Sequence, residues 1–445
     1  MKNPLLFIFL CISTHSWCQY QIDIKIQTSK DSLYMIAYSL PDGKTLYPQD
    51  TIKADGHNNL VFEGAKKLPE GMYYLIKGRT KVLEFPLVAS YLKIEADIDD
   101  VGGSLTISGS EEARDFASYG RENIRLNRLY EKTTDKDKRQ EIYANYQKLI
   151  KTYIINHPSS FTANFLRAIR PVEMPLMMAT STRQDTLNYL SYYYHHAFDN
   201  LDLSDDRLIR TPILDGLFDS YLSNIDVHNA PDTIINLANT IINRTKPNTE
   251  LRKYIVIKFG NKFLQTGVLG CDKVYVALAE KYILNEPESY NEVTVQKNKE
   301  YVNRIKPMLI GKIMPDMCLT DTLGNQSTLW DVDSKYTMVV IYDYSCGHCQ
   351  EFTKKLVDYY PKLEQKNMQV YMCCRNRDRE QWLKFIKTYK TEKFTNVMDT
   401  NNIVDFDNQY NASLVPKVYL VDKNKQIIAN LKLELSDFEK IMSTK

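Results

Sequence analysis

The 445-residue sequence has almost no excess of charge of either sign: 57 Lys and Arg stand against 55 Asp and Glu. That balance excludes a protein that grips nucleic acid through a broad basic field. Glycine and proline are sparse, at 16 each, which excludes a fibrous chain, and 43% hydrophobic residues is too apolar for a disordered one. Eight cysteines are too few to staple a chain this long as a disulfide scaffold, so each is read by its position. No apolar run approaches the ~20 residues that a membrane span requires. What remains is a globular chain with room for about three domains.

The longest early apolar run, Leu5 to Ile12, follows Lys2 and precedes small polar residues. This is the charged, apolar and polar succession of a secretory signal peptide, expected over residues 1–18. Cleavage after Cys18 leaves Gln19 as the new N-terminus. Lipidation of Cys18 is the alternative, although Trp17 and His15 fit that signal poorly. Either way the protein is expected to be exported to the periplasm or cell envelope, soluble or at most tethered at its start. Removal of Cys11 and Cys18 leaves six cysteines.

Three zones follow. Over 19–108 apolar and polar residues alternate in short runs, at Ile22–Ile24–Ile26, Tyr73–Ile76 and Leu92–Ile98. Asp42-Gly43, Asp55-Gly56 and Gly102-Gly103 break them, and the pattern predicts an antiparallel β sandwich without catalytic residues. His57, beside a turn glycine, reads as a solvated side chain.

Over 109–310 the period becomes helical, at Glu111–Glu131, Lys136–Ile155, Asp232–Arg244 and Glu250–Leu264, with prolines between segments. This predicts a central all-α domain. Tyr189, Tyr192, Tyr193, Tyr194 and Phe198 suit packing between helices better than a ligand pocket. His195 and His196 are adjacent, diverge by about 100° on a helix, and so cannot share one metal. Cys271 reads as a small buried residue at a helix start.

Over 311–445 strands and helices alternate. Met317–Trp330 reads as a hairpin, and Tyr336–Tyr342 as a central strand buried on both faces. A helix to Tyr360, a strand Met368–Cys373, a helix Arg379–Tyr389, a strand Lys417–Val421 and a hairpin through Asp422–Lys425 follow. Ser436 and Glu439 read as a capping box for the last helix.

Cys346-Gly347-His348-Cys349 stands just after the buried strand, where a helix starts. Unpaired N–H groups and the positive end of the helix dipole stabilise a thiolate there, and protonated His348 adds to this. Cys346 is then the exposed nucleophile, and Cys349, one turn further in, the resolving thiol. A structural disulfide or a zinc site is the other reading. Zinc needs two more ligands, for which only the adjacent Cys373-Cys374 pair offers itself.

With these residues in view, 311–445 resembles a thioredoxin-fold domain of the TlpA/ResA type, the exported thiol–disulfide oxidoreductases. The stretches MPDMCLTDTLGNQSTLWD, YTMVVIYDYSCGHC and YNASLVPKVYLVDKNKQII carry the likeness in order. The resemblance implies a C-terminal α/β thioredoxin fold and makes Pro416 the cis-proline facing Cys346 and Cys349. It implies that Val415 and Pro416 bind an extended substrate segment by backbone pairing. Gly347 and His348 become the residues that tune the potential. Implied partners are protein thiols and disulfides and a membrane electron donor or acceptor, with no cofactor, no metal and no nucleic acid. The two earlier zones resemble the small β domain and the uncharacterised helical domain that precede thioredoxin modules in Bacteroidetes envelope proteins. No activity transfers from that likeness.

The sequence departs from the family pattern at several positions. Ser345 replaces the usual Trp, and Lys354 replaces a helix-kinking proline. Phe352 stands where a buried, proton-shuttling Glu is common, and Glu351 is one residue off. Gly-His between the cysteines is the isomerase dipeptide, whose potential lies near −180 mV against about −270 mV for thioredoxin. Relatives of the TlpA/ResA type mostly reduce, so the direction of exchange stays open. One of Cys373 and Cys374 could reach the redox centre, while at least one reads as a buried strand residue; Cys318 reads as inert. The functional expectation is an envelope thiol–disulfide oxidoreductase. The alternative is a binding or scaffold protein whose N-terminal domains recognise a partner.

Overall fold

Alternating side chains need a second layer to bury their apolar face, and the computed structural model supplies it in two compact units. It describes residues 18–170, 172–176, 182–225, 230–265, 269–430 and 434–444. The signal expected at residues 1–18 lies outside these residues, Cys18 excepted, as does Pro171. One unit runs to Tyr221 and takes in Arg244–Leu251; the other holds Leu222–Asn243 and the chain from Arg252.

The first unit contains β1 (Tyr20–Lys25), β2 (Leu33–Ser39), β3 (Leu46–Lys53), β4 (Asn59–Gly64), β5 (Gly71–Lys77), β6 (Thr80–Leu87), β7 (Tyr91–Glu95) and β8 (Thr106–Ser108). They form two four-stranded sheets, ordered β4-β1-β7-β8 and β3-β2-β5-β6. Ile22, Ile24, Leu60, Leu92 and Ile94 of one sheet and Ile36, Tyr73, Leu75 and Phe85 of the other share one core. Each such side chain stabilises the fold by about 1.5–3 kcal/mol.

Pairing is not wholly antiparallel, as the alternation had suggested. β1 and β7 run parallel, with Ile22 opposite Leu92 and Ile24 opposite Ile94. The chain visits the other sheet twice between them and therefore re-enters in the same direction.

Helix Glu111–Lys132, capped by Ser110 on the N–H of Ala113, closes this core with Ala113, Phe116 and Ala117. Helices Lys136–Asn156 and Phe161–Ala168 form a second, smaller cluster with Tyr119, built from Ile150, Tyr153, Ala163 and Leu166. Tyr193 and Tyr194 lie against Tyr221, and Phe198 stacks on Phe218 at 4.8 Å, so these three pack between helices, whereas Tyr192 is exposed and stacks on His196 of its own helix. At the end of helix Arg183–His196, His195 Nδ1 meets the Ser191 carbonyl and His196 Nδ1 meets Asp199.

In the second unit, helices Pro231–Ile242, Glu250–Gln265 (from Arg252), Asp272–Ala279 and Glu292–Ile305 precede a seven-stranded sheet. Its strands are β9 (Cys318–Asp321), β10 (Gln326–Thr328), β11 (Tyr336–Tyr342), β12 (Met368–Cys374), β13 (Thr395–Met398), β14 (Lys417–Asp422) and β15 (Ile427–Ala429), in the order β10-β9-β13-β12-β11-β14-β15. β11 is parallel to β12 and antiparallel to β14.

Every residue of β11 is buried. Tyr336, Met338, Val340 and Tyr342 face one core, and Val339 and Ile341 the other. Helix Gly347–Glu364 covers the first face with Cys349, Thr353, Leu356, Tyr360 and Leu363, at spacings of three and four. The last helix begins at Leu435, so Ser436 lies inside it and caps nothing; Glu439 instead accepts a hydrogen bond from the Tyr359 hydroxyl.

Candidate active site

The site grows from the end of a strand whose direction is fixed by pairing on both sides. Beyond Tyr342, Asp343, Tyr344 and Ser345 carry the chain over the carboxyl edge of the sheet and into helix Gly347–Glu364. The Cys346 N–H donates to the Asp343 carbonyl at 3.2 Å. The Ser345 N–H and Oγ both donate to the Asp343 carboxylate, at 2.7 and 2.6 Å. The Tyr344 N–H donates to Asn376 Oδ1, and the Gln350 side-chain amide donates to the Tyr344 carbonyl, each at 3.0 Å. Both strand ends, β11 and β12, thus hold the turn.

Cys346 is the N-cap residue of this helix, with extended backbone and no side-chain cap bond. The first-turn N–H groups are left for its sulfur. The N–H of Cys349 is the largest influence holding the Cys346 thiol below its ordinary pKa, and the His348 N–H acts with it; partial burial and the Asp343 charge oppose them. The His348 imidazole itself is exposed.

Cys349 is fully buried, and burial is the main cause that pushes its pKa up to about 12, although the Asp343 N–H works the other way. Both residues stand as thiols. One sulfur is accessible and acidified, and the other, one turn deeper, is buried and held as a thiol.

Across from them the Val415–Pro416 peptide bond is cis, and Cys346 Sγ approaches the Val415 carbonyl oxygen at 3.9 Å. Val415 and Pro416 are half-buried, and Leu414 beside them is exposed. Gly347 opens the helix with nothing within 4 Å of where a side chain would begin.

Successive strand residues point to opposite faces, and this separates the vicinal cysteines. Cys374 lies in the core that holds Cys349, whereas Cys373 lies in the other. Both are fully buried, and burial raises both thiols, Cys374 to about 12. Cys318 is exposed and donates to Gln326 Oε1, and Cys271 is buried at the start of helix Asp272–Ala279. Among the described residues no group of three or more His, Cys, Asp or Glu gathers as a metal site.

Glu351 is exposed and pairs with Lys355 at 2.8 Å, and Phe352 packs against the core that holds Cys349. The carboxylate bonded into the turn is Asp343, which the motif reading passed over. Its signal was available: an acidic residue directly after seven strand residues buried on both faces.

Residues 310–430 match the AhpC/TSA family, and residues 20–116 match a domain of unknown function, DUF4369. The thiol-disulfide oxidoreductase ResA of Bacillus cereus is 24% identical over 134 residues, which are 30% of this chain and 76% of that protein. A domain of a possible thiol-disulfide isomerase from Cytophaga hutchinsonii is 40% identical, over 31% of this chain and 97% of that one, with a TM-score of 0.28. A thioredoxin-like protein from Bacteroides caccae aligns over 62% of this chain and 100% of its own, at 17% identity and a TM-score of 0.50.

Proposed function

Through residues 310–430 the chain belongs to the thioredoxin-like thiol–disulfide oxidoreductases, and we propose that it exchanges disulfides in exported envelope proteins through Cys346 and Cys349. The observation that carries this reading is the asymmetry of the pair: Cys346 is accessible and acidified at an uncapped helix start, and Cys349 is buried with its thiol raised to about 12.

The steps follow from that asymmetry. The Cys346 thiolate attacks one sulfur of a substrate disulfide, forms a mixed disulfide and releases the other sulfur as a thiolate, which takes up a proton. Cys349 gives up its proton and attacks the Cys346 sulfur. The Cys346–Cys349 disulfide forms, and the second substrate sulfur leaves as a thiol. The substrate has gained two electrons and the pair has lost two; oxidation of a substrate dithiol is the same sequence reversed. A dithiol donor or disulfide acceptor of the envelope then resets the pair. The Val415 and Pro416 backbone, beside Cys346, offers an edge on which an extended substrate segment pairs like an added strand.

The export signal at residues 1–18 supports an envelope setting. Among the described residues no helix is long and apolar enough to cross a membrane.

Trapping tests the proposal. Cys349→Ala should accumulate mixed disulfides with envelope proteins, released by dithiothreitol, and Cys346→Ala should accumulate none. A wild-type chain that neither reduced nor oxidised a test disulfide would overturn the reading in favour of a binding protein.

A further inference from the structure

The turn that presents Cys346 carries an anion. Asp343 gives its backbone carbonyl to the Cys346 N–H at 3.2 Å. Its carboxylate takes both donors of Ser345, the residue that precedes Cys346, and is held at the turn into the redox helix. Where the family pattern has a flat Trp, this chain has a hydroxyl whose bond secures that carboxylate.

We infer that Asp343 is a charge-setting positioning residue of the Cys346–Cys349 pair, its clamped carboxylate opposing thiolate formation and drawing the pair toward the reducing side. The inference rests on the proposed exchange function and supplies its direction.

The groups that face Asp343 come from each packed element. From its own turn come Ser345 and Tyr344, from the helix the sulfurs of Cys346 and Cys349, and from the end of β12 Cys374, Arg375 and Asn376. Burial alone would raise the carboxyl, but the Ser345 bonds, Asn376 and the Arg375 charge outweigh it and lower it, so Asp343 stays ionised at neutral pH. Arg375 does not cancel this charge alone, because its guanidinium also pairs with Asp407 at 3.3 Å. The Asp343 charge works against ionisation of Cys346, Cys349 and Cys374.

A thiolate stabilised in the reduced form makes a pair oxidising; an anion beside it takes that stabilisation away and makes it reducing. Asp343 thereby counters the oxidising bias that Gly347-His348 brings.

The test uses the full reduced chain, the pH profile of Cys346 alkylation by iodoacetamide and the equilibrium with glutathione. In Asp343→Asn the alkylation midpoint should fall and the equilibrium should move threefold to tenfold toward oxidising, where tenfold is about 30 mV. Asp343→Glu keeps the charge and should stay within twofold of wild type in both. No movement in Asp343→Asn, or an equal movement in Asp343→Glu, overturns the inference. Should Asp343→Asn not fold, Ser345→Ala, which removes the Oγ donor and leaves only the backbone N–H on the carboxylate, replaces it: a move of twofold or more in the same direction supports the inference, and none overturns it. The alkylation profile reads Cys346 itself, so loss of exchange with protein disulfides would remove the function reading without hiding the outcome for Asp343.

Discussion

The sulfur of Cys346 lies 3.9 Å from the carbonyl oxygen of Val415, 69 residues further along the chain. That distance joins the ends of two neighbouring strands at one edge of the sheet, because β11 leads into Cys346 and β14 leaves from Pro416, with Ile341 opposite Lys417. In the second unit's redox centre Cys346 alone combines partial exposure with a lowered pKa, while Cys349, Cys373 and Cys374 are buried thiols with raised pKa values. Brief treatment of the folded, reduced chain with iodoacetamide at pH 7 should therefore label Cys346 at least tenfold faster than Cys349, Cys373 or Cys374. The rate should rise with pH and level off below the ordinary thiol value of about 9. Peptide mass spectrometry reads both, and equal labelling of Cys349 would contradict the burial that defines its role.

Much of this centre was legible in the sequence because one physical effect dominates each of its elements. Tyr336–Tyr342 is a run of apolar and aromatic residues interrupted only by Thr337, and β11 has those same limits since both its faces are covered. The helix Arg379–Tyr389 also has its expected bounds: Asp378 caps it, and Trp382, Phe385 and Ile386 fall on one side. Less legible were features that depend on distant partners. Ser436 has the local form of a cap, yet the helix starts one residue earlier and Glu439 turns to Tyr359, 80 residues away in sequence. The parallel pairing of β1 with β7 needs knowledge of which sheet each hairpin joins, which alternation does not encode. Asp343 went unread for the same reason, since its partners Asn376 and Arg375 arrive from β12.

Trp382 is the largest fully buried side chain behind the redox helix, and its Nε1 donates to the Tyr342 hydroxyl at 3.1 Å. Trp382→Ala should cost about 3–5 kcal/mol, the usual loss for an aromatic removed from a packed core. Tyr342→Phe should cost about 1 kcal/mol, mostly for the orphaned indole N–H. Urea unfolding followed by circular dichroism measures both. A cost below about 1 kcal/mol for Trp382→Ala would mean that the core of this sheet face is looser than its burial indicates.

Gly109, which follows β8, holds φ at +98°, and a Cβ there would meet the Tyr91 carbonyl oxygen at 2.3 Å. Backbone strain alone costs about 1–3 kcal/mol at such a position, and the clash with a strand carbonyl adds to it. Gly109→Ala should destabilise the first unit by at least that amount and speed its cleavage in limited proteolysis, whereas Gly78→Ala, with φ +60° and nothing within 4 Å, should cost less. Equal effects would remove the role assigned to the close approach at Tyr91.

Stability of the reduced chain should decline at alkaline pH, and the vicinal cysteine on the redox face should account for part of it. In the unfolded chain thiols ionise near pH 9, but burial raises Cys349 and Cys374 to about 12 in the folded state. A raised pKa means that the folded state keeps a proton that the unfolded state has released. The contribution is fully present below pH 9 and is lost as the pH climbs toward 12. Each such thiol then costs about 1.4 kcal/mol per pH unit between those limits. Buried tyrosines slope the same way, so the comparison is with Cys374→Ala, which should be less stable at pH 7 through lost packing yet decline less steeply above pH 9. Urea midpoints at pH 7.5, 9 and 10.5, under dithiothreitol and argon, supply the slopes. Parallel slopes for the variant and wild type would mean that Cys374 ionises in the folded chain as readily as in the unfolded one, against its complete burial beside Tyr342.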